Sequence, residues 1–425
     1  MKNYFISLFS IYLFVNQVVA AEDMAIHGSI SQSFIKTAKN DFLFSGTNKG
    51  SFEFTEAVIN TTKSVNNKLN MGAQLLSRNF GDEGNFKTTL DWAFGDYQVN
   101  EKFGMRVGRI RLPLGFYNEY RDVDSAQTAI LRQQGPYHEP MRAFILSYSG
   151  FGIYGSLFSE SKAGVLDYQL YYGTLDIPSD FSLLRFVNER LNTTGGLETE
   201  YIRGGQVVWT PPVEGLRFGY SLLDYNGAFN MTSPALIFNP ALTNFSVSDG
   251  IEFAAQIRNF GIEYQRGPWT LCAEYQSFQL DAKFSSAFQN SFTQSISAAA
   301  VKAGSSSAVA DATASAALSQ TSDAVLKTFS QDQMSWYLSA SYQISDNFSN
   351  FISYGEKYAD KTNKGSSTGY RKDTSFGFRY DFSMNWRAKV EYHSFSGIKD
   401  ALIPSNKSVA SDKWNMFATR VSFDF

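Results

Sequence analysis

From about residue 24 to residue 425 the chain keeps returning to a period of two, in runs of about 9 to 14 residues. In "KLNMGAQLLSR", Leu69, Met71, Ala73 and Leu75 share one face, while Lys68, Asn70, Gln74 and Arg78 share the other. "FKTTLDWAF" sets Leu90, Trp92 and Phe94 against Lys87, Thr89 and Asp91. "DTSFGFRYDF" sets Phe376, Phe378, Tyr380 and Phe382 against Asp373, Ser375, Arg379 and Asp381, and "WRAKVEYH" sets Trp386, Ala388, Val390 and Tyr392 against Arg387, Lys389, Glu391 and His393. The last run, "MFATRVSFDF", puts Phe417, Thr419, Val421, Phe423 and Phe425 opposite Met416, Ala418, Arg420, Ser422 and Asp424. Only extended strands place alternate residues on opposite faces. The fold class is therefore all-β, with one apolar and one polar face along nearly every strand.

A soluble sandwich alternates too, so two further features decide. Aromatics gather at run ends (Tyr97, Trp209, Trp269, Tyr358, Trp386, Trp414), where interfacial girdles belong. Connections also alternate in length. Asn100 to Lys102, Glu160 to Gly164, Pro211 to Gly215, Gly267-Pro268, Ser345 to Asn347 and Ser383 to Asn385 are tight. Between them lie long segments such as Phe116 to Pro140, Asp176 to Glu200, Asn226 to Gly250 and Phe284 to Ser330. Short turns on one side and long loops on the other describe a transmembrane antiparallel β-barrel. Counting runs gives about sixteen strands, closed by pairing Trp414 to Phe425 with a strand that starts near Ala25. Arg142 to Phe158 and Glu252 to Arg266 are long and change parity, which reads as β-bulges. Soluble-like mean hydropathy, −0.23, fits such a barrel because lipid-facing and water-facing residues alternate.

Lys2, the apolar run Tyr4 to Val15, and Val18-Val19-Ala20-Ala21 make a Sec signal peptide, with cleavage after Ala20 or Ala21. We expect residues 1–20 as signal peptide and 21–425 as one barrel domain in the outer membrane of a Gram-negative cell. Charge is nearly balanced and no basic block suggests nucleic acid. Cys272 is the single cysteine, so no internal disulfide can form. No cofactor or metal is expected, since His27, His138 and His393 lack metal-ligand spacing. The Ala/Ser-rich segment within 284–330 is expected to be an extracellular insertion, helical in part, with Val325, Leu326 and Phe329 as an apolar edge.

A sixteen-strand barrel leaves an aqueous lumen, and a long loop folded inward is the material available to narrow it. The candidate constriction is Phe116 to Pro140, with Arg121, Asp122, Asp124, Arg132 and Glu139 inside it and Arg109, Arg111 and Arg142 at its flanks. Rings of charge at a constriction set ion selectivity. Inward parity assigns Lys68, Arg78, Lys87, Arg106, Arg217, Arg258, Arg379, Arg387 and Lys389 to the lumen wall, facing acidic residues that include Asp91, Glu263, Glu274 and Glu391. The modest basic excess supports a mild anion preference.

"VGRIRLPLGFYNEYRDVD", Val107 to Asp124, resembles the strand-to-third-loop junction of trimeric outer-membrane porins, particularly the DcaP-like family. The resemblance rests on Gly108-Arg109, on Pro113 with Gly115, and on "YNEYRDV". It implies a homotrimer in outer-membrane lipid that passes small solutes and ions, among them dicarboxylates and other small anions, and no enzymatic activity. Phe425, ending an alternating strand, resembles the signal read by barrel-assembly machinery. Two rivals are an adhesin or scaffold barrel, with the Ala/Ser-rich insertion as its working part, and an outer-membrane hydrolase built on His393 and a wall serine such as Ser375. Gly150-Phe-Gly-Ile-Tyr-Gly155 matches a dinucleotide fingerprint in letters alone, because no helix follows it.

Overall fold

The computed structural model describes residues 24–425 except 160, 182–183, 186–187, 189–193, 233–245, 325–328, 363, 366 and 402–410. The expected signal peptide therefore lies outside the described residues. Sixteen strands are present among those described: β1 (Met24–Ala38), β2 (Ser51–Ser64), β3 (Leu69–Phe80), β4 (Thr88–Asn100), β5 (Phe103–Arg111), β6 (Ser147–Leu157), β7 (Val165–Thr174) and β8 (Leu197–Thr210), then β9 (Leu216–Thr232), β10 (Ser246–Arg266), β11 (Trp269–Phe284), β12 (Phe329–Ser345), β13 (Phe348–Tyr358), β14 (Tyr370–Asp381), β15 (Trp386–Ser396) and β16 (Lys413–Asp424). Each pairs antiparallel with its sequence neighbours, and β1 pairs with β16, so the sheet closes into one barrel.

Closure leaves the outer surface apolar and the inside polar, the reverse of a soluble core. Phe376, Phe378, Val390, Phe417 and Val421 are exposed, whereas Asp373, Ser375, Arg387, Lys389, Glu391, His393, Arg420 and Ser422 are buried. These two sets are the two parities read from the sequence. A lipid-facing wall satisfies its backbone only through closed pairing, and closure supplies that for every strand.

Parity fails at one place that matters. Between β3 and β4, Gln74 pairs with Trp92 but Leu75 pairs with Leu90, so Asp91 is an extra residue. This bulge keeps Asp91 buried in the wall and turns the next residues inward. Phe94 packs on an interior apolar cluster, with the Trp92 ring 5.4 Å from it. Trp92 and Phe94 are thus corrected from lipid face to interior. Arg142 to Phe158 is not a bulged strand either. Arg142–Ile145 is one helical turn, and β6 begins after it at Ser147. Within β10, pairing with β11 runs without a shift from Ile251 to Arg266. Arg258 therefore shares the exposed parity of Phe260 and points away from the lumen.

The wall is tallest at β9 to β12, with strands of 17, 21, 16 and 17 residues. Its upper inner face is apolar, with Leu223, Tyr225, Ile251 and Ile257 buried. Two helices cover it, α1 (Ser286–Lys302) and α2 (Ser307–Ala324). Ser285 starts α1 by accepting the Phe288 N–H at 3.0 Å, a side-chain cap on an otherwise unpaired donor. Phe288 and Ile296 from α1 and Ala314 from α2 join the same apolar cluster as Leu223 and Tyr225. The insertion is helical as expected, but its apolar edge differs. Phe329 opens β12, and Val325 and Leu326 lie outside the described residues.

Candidate functional site

Between β5 and β6 the chain leaves the wall and crosses the lumen. The inward segment is longer than the sequence suggested, running from Leu112 to Leu146, whose main chains meet where the Leu112 N–H donates to the Leu146 carbonyl at 2.8 Å. Its root is apolar. Leu112, Leu114, Phe144 and Ile145 are buried in the cluster that also receives α1. Gly115 makes the first sharp turn at φ 63°, where a Cβ would sit 2.4 Å from the Tyr137 hydroxyl, so no larger residue fits. Short 3₁₀ turns at Asn118–Tyr120, Asp124–Ala126 and Glu139–Met141 then fold the segment into a plug.

Wall side chains fasten this plug on several sides. On one side the Gly115 N–H donates to Ser221 Oγ at 2.9 Å, and Gln206 Nε2 donates to the Gly115 carbonyl at 2.6 Å. Glu274 on β11 accepts the Phe116 N–H at 2.9 Å and the Tyr137 hydroxyl at 2.7 Å. Across the lumen, Gln133 Nε2 donates to Ser353 Oγ at 2.6 Å and Arg371 to the Gln134 carbonyl at 2.9 Å. Glu391 on β15 accepts the Ile130 N–H. Lys389 Nζ and Ser422 Oγ each donate to Asp124 at 2.8 Å. On the third side, Arg78 of β3 reaches Glu139 at 2.9 Å.

The charges that sequence reading assigned to the constriction are brought together, but mostly as partners of one another. Arg111 and Arg142 share Asp91 and Asp122, at 2.8–2.9 Å. Arg121 and Arg78 share Glu139, and Arg78 and Arg420 share Glu56. Asp124 lies between Lys389 and Arg420. Burial alone would raise all three loop carboxyls, and the basic groups reverse that. Arg142 and then Arg111 hold Asp122 well below the usual carboxylate range. Lys389 and Arg420 do the same for Asp124. Arg121 and Arg78 bring Glu139 down to about 2. Burial, then Lys357, keeps His138 well below an ordinary imidazole and so neutral. Glu119 is raised, because burial outweighs Arg106 and the Gln169 amide that donates to it at 3.1 Å.

Arg132 differs. Among the described residues no carboxylate lies within ion-pair distance of it, and its guanidinium stands 4.4 Å from the Tyr117 ring centre. Tyr117 in turn donates to Glu263, which also accepts from Arg217 at 2.8 Å. Arg106 pairs with Asp96 at 3.1 Å on the wall facing Glu119. Arg379 and Arg387 both reach Asp381, and Arg387 also pairs with Asp424.

Three assignments need correction. Arg109 does not join the charged network: it donates to the Asp91 carbonyl at 3.2 Å and lies 3.7 Å from Asp176 in the β7–β8 loop. Lys68 falls in the β2–β3 turn and Lys87 in the β3–β4 connection, so neither is strand wall. Glu56 was missed, since Phe54 and Val58 on either side of it on the inner parity disguise that face as lipid-facing. Phe425 caps the seam, exchanging main-chain hydrogen bonds with Gly28 at 2.9 and 3.0 Å.

The hydrolase constellation is absent where it was sought. His393 Nδ1 lies 2.9 Å from Asp373 and Nε2 2.7 Å from Glu391, so both nitrogens face carboxylates. Ser375 is fully buried and hydrogen-bonded to Ser353 at 2.7 Å.

No protein-family model matches this chain, and no curated protein matches its sequence. Solved structures do match it in shape. A loop-deletion mutant of OmpT, an outer membrane protein of Vibrio cholerae, superposes with a TM-score of 0.54 at 11% identity, over 95% of this chain and 99% of the other. OmpF of Salmonella typhi, solved with daunomycin, gives 0.54 at 14% identity, over 95% and 97%. An anion-selective porin from Comamonas acidovorans gives 0.52 at 11% identity, over 95% and 99%. At such identities the likeness is one of fold.

Proposed function

We propose that this barrel is an outer-membrane porin, a passive diffusion channel for small hydrophilic solutes, with the Leu112–Leu146 plug as its constriction. The observation that carries this reading is the plug itself. A segment pinned to β3, β8, β9, β11 and β13 to β16 leaves solute only the gap between plug and wall. The same reading takes from the resemblance a homotrimer, delivery by barrel-assembly machinery, and DcaP-like preference for small anions such as dicarboxylates. It makes no enzyme of the protein, because the one Ser/His candidate has both imidazole nitrogens engaged.

A mild anion preference is supported by the plug's ion-pair network and by Arg132, which has no carboxylate partner among the described residues. Six basic side chains (Arg78, Arg111, Arg121, Arg142, Lys389 and Arg420) share five carboxylates (Glu56, Asp91, Asp122, Asp124 and Glu139) in its ion-pair network, and Arg132 stands outside the network; Glu119, Glu274 and Glu391 at the same plug keep the excess small. Following the network through Arg387 and Arg379 to Asp424 and Asp381 adds equal numbers of each sign. Fixed charges at a narrow waist act on an ion with little screening. The test is planar-bilayer conductance under a salt gradient. Wild type should conduct with a small reversal potential of anion-selective sign. Arg132→Gln, which strands no carboxylate, should move that potential toward cations at unchanged folding. A purified barrel that never conducts would remove the porin reading and leave the scaffold one.

A further inference from the structure

At the long-loop end of β13 and β14 the wall sets two basic side chains against each other. Lys357 and Arg371 are register partners on the lumen-facing parity, the parity on which Ser353 reaches the plug. Like charges directly opposite one another weaken a sheet. A third, Lys399, is carried in by the β15–β16 connection, whose main chain turns at Gly397 with φ 86° and again at Asp400 with φ 67°. One carboxylate answers all three. Asp400 Oδ2 lies 3.0 Å from Lys357 Nζ and 2.8 Å from Arg371 Nη1, and its Oδ1 lies 3.4 Å from Lys399 Nζ. The neighbouring acids are engaged elsewhere: Asp373 faces His393, and Glu356, on the outer parity, pairs with Lys372.

The plug network is balanced differently, with six basic side chains sharing five carboxylates. Here three share one. Stability does not explain the excess, since each unmatched charge drawn away from water opposes folding. The excess also bears on the plug. Arg371 donates to the Gln134 carbonyl at 2.9 Å. Burial, then Lys357, hold the plug's His138 well below an ordinary imidazole; Asp400 opposes them, and Arg371 and Lys399 add to them. Lys357 and Lys399 keep 12% and 22% of their side chains exposed, so the charge borders water.

We infer that Lys357, Arg371 and Lys399 form an anion-attracting charge on the long-loop face of the plug, with Asp400 setting its strength. The inference rests on the porin reading and deepens it, adding to Arg132 a cluster in which three basic groups face one carboxylate. A fixed charge acts on a passing ion through space, so the solute need not touch the buried guanidinium. Small anions are gathered and small cations repelled before either reaches the plug. The pull on a dianion is about double that on a monoanion.

Reversal potentials of the full-length protein in planar bilayers give the ratio of anion to cation permeability. Lys357→Met should lower that ratio about twofold, the effect of removing a unit charge about 10 Å from the ion's path in water. Its unfolding midpoint in urea should equal or exceed that of wild type, because Asp400 keeps two partners and one unmatched charge is gone. A lysine kept for structure alone gives the reverse, an unchanged ratio and a lower midpoint, and either result overturns the inference. Asp400→Asn should raise the ratio about twofold. If that variant does not fold, Lys399→Gln takes its place and should lower the ratio. A conducting channel whose ratio ignores both lysine variants overturns the inference and leaves the pore standing. A wild-type barrel that carries no current overturns both.

Discussion

Two segments fill the inside of this barrel, and they are held by opposite physics. Beyond its apolar root, which shares a cluster with the helices, the plug from Leu112 to Leu146 is fastened by ions and hydrogen bonds, with Asp124, Glu139 and the main chain at Phe116 and Ile130 each answered by a wall residue. The helical pair α1 and α2 is fastened by apolar surface, with Phe288, Ile296 and Ala314 against the tall wall of β9 to β11. The wall dictates which solution applies. Where its inner face is polar, an inward segment has to satisfy that face group by group. Where it is apolar, any well-shaped apolar cover will do, and an Ala/Ser-rich helix suffices. The plug is consequently specific in position, and the helices are specific mainly in volume.

The largest effect expected from breaking this contrast is at Asp124. Asp124→Ala leaves Lys389 buried with no counter-charge, and losing one partner of a buried pair costs about 3–5 kcal/mol. Chemical unfolding should register that loss, and single-channel traces should become noisy as the plug loosens. A quiet channel of unchanged stability would mean the plug is held elsewhere. Somewhat smaller, Phe288→Ala should cost about 3 kcal/mol through the cavity it leaves. Its effect should be indifferent to salt and to pH between 4 and 7, and plug noise should stay at the wild-type level. Coupling of Phe288 to channel noise would show the two segments to be one unit.

The third and most gradual effect comes from acid. Asp122, Asp124 and Glu139 are all held below their ordinary values of 3.8, 3.8 and 4.5. A folded-state value below the unfolded one gives stability that is complete above the unfolded value and lost as pH falls. Plug anchorage should therefore be intact above about pH 4.5 and drain away toward about 2, where Glu139 titrates in the folded protein. Glu119, raised by burial, works in the opposite sense and softens the slope. Stability measured down that range should fall for wild type and fall less steeply for Glu139→Gln. A flat profile would contradict the charged fastening.

Much of this was legible in the residues. Alternation gave both faces of β14 to β16, the alternation of turn lengths gave the strand count, and the position and mixed charge of Phe116 to Pro140 marked the crossing segment. What stayed hidden has a common cause. The bulge at Asp91 is a choice of one residue in register, and it is stabilised by Arg111 and Arg142, which lie 20 and 51 residues away in sequence. Local pattern cannot weigh a partner at that distance, so Trp92 and Phe94 were read to the wrong side. Arg109 shows the same limit. It sits two residues from Arg111 with the same charge, yet one joins the network and the other reaches Asp176. Arg258 was misplaced for a simpler reason, since an expected parity break in β10 does not occur there.

The seam between β1 and β16 has a consequence for how such a chain can come into being. Ser29 faces Asp424 across it, so the two strands that complete the barrel lie at opposite ends of the described sequence. Until residues near 415–424 are in place, one edge of β1 has no partner, and neither has the last strand formed so far. Every shorter precursor is an open sheet with two bare edges and an apolar outer surface, a combination that pairs with foreign strands. Closing over so long a stretch costs little more entropy than closing over a shorter one. The difficulty is one of waiting, because no part of the wall can be finished early and set aside. A chain stopped short of β16 would be an aggregation hazard rather than a smaller pore.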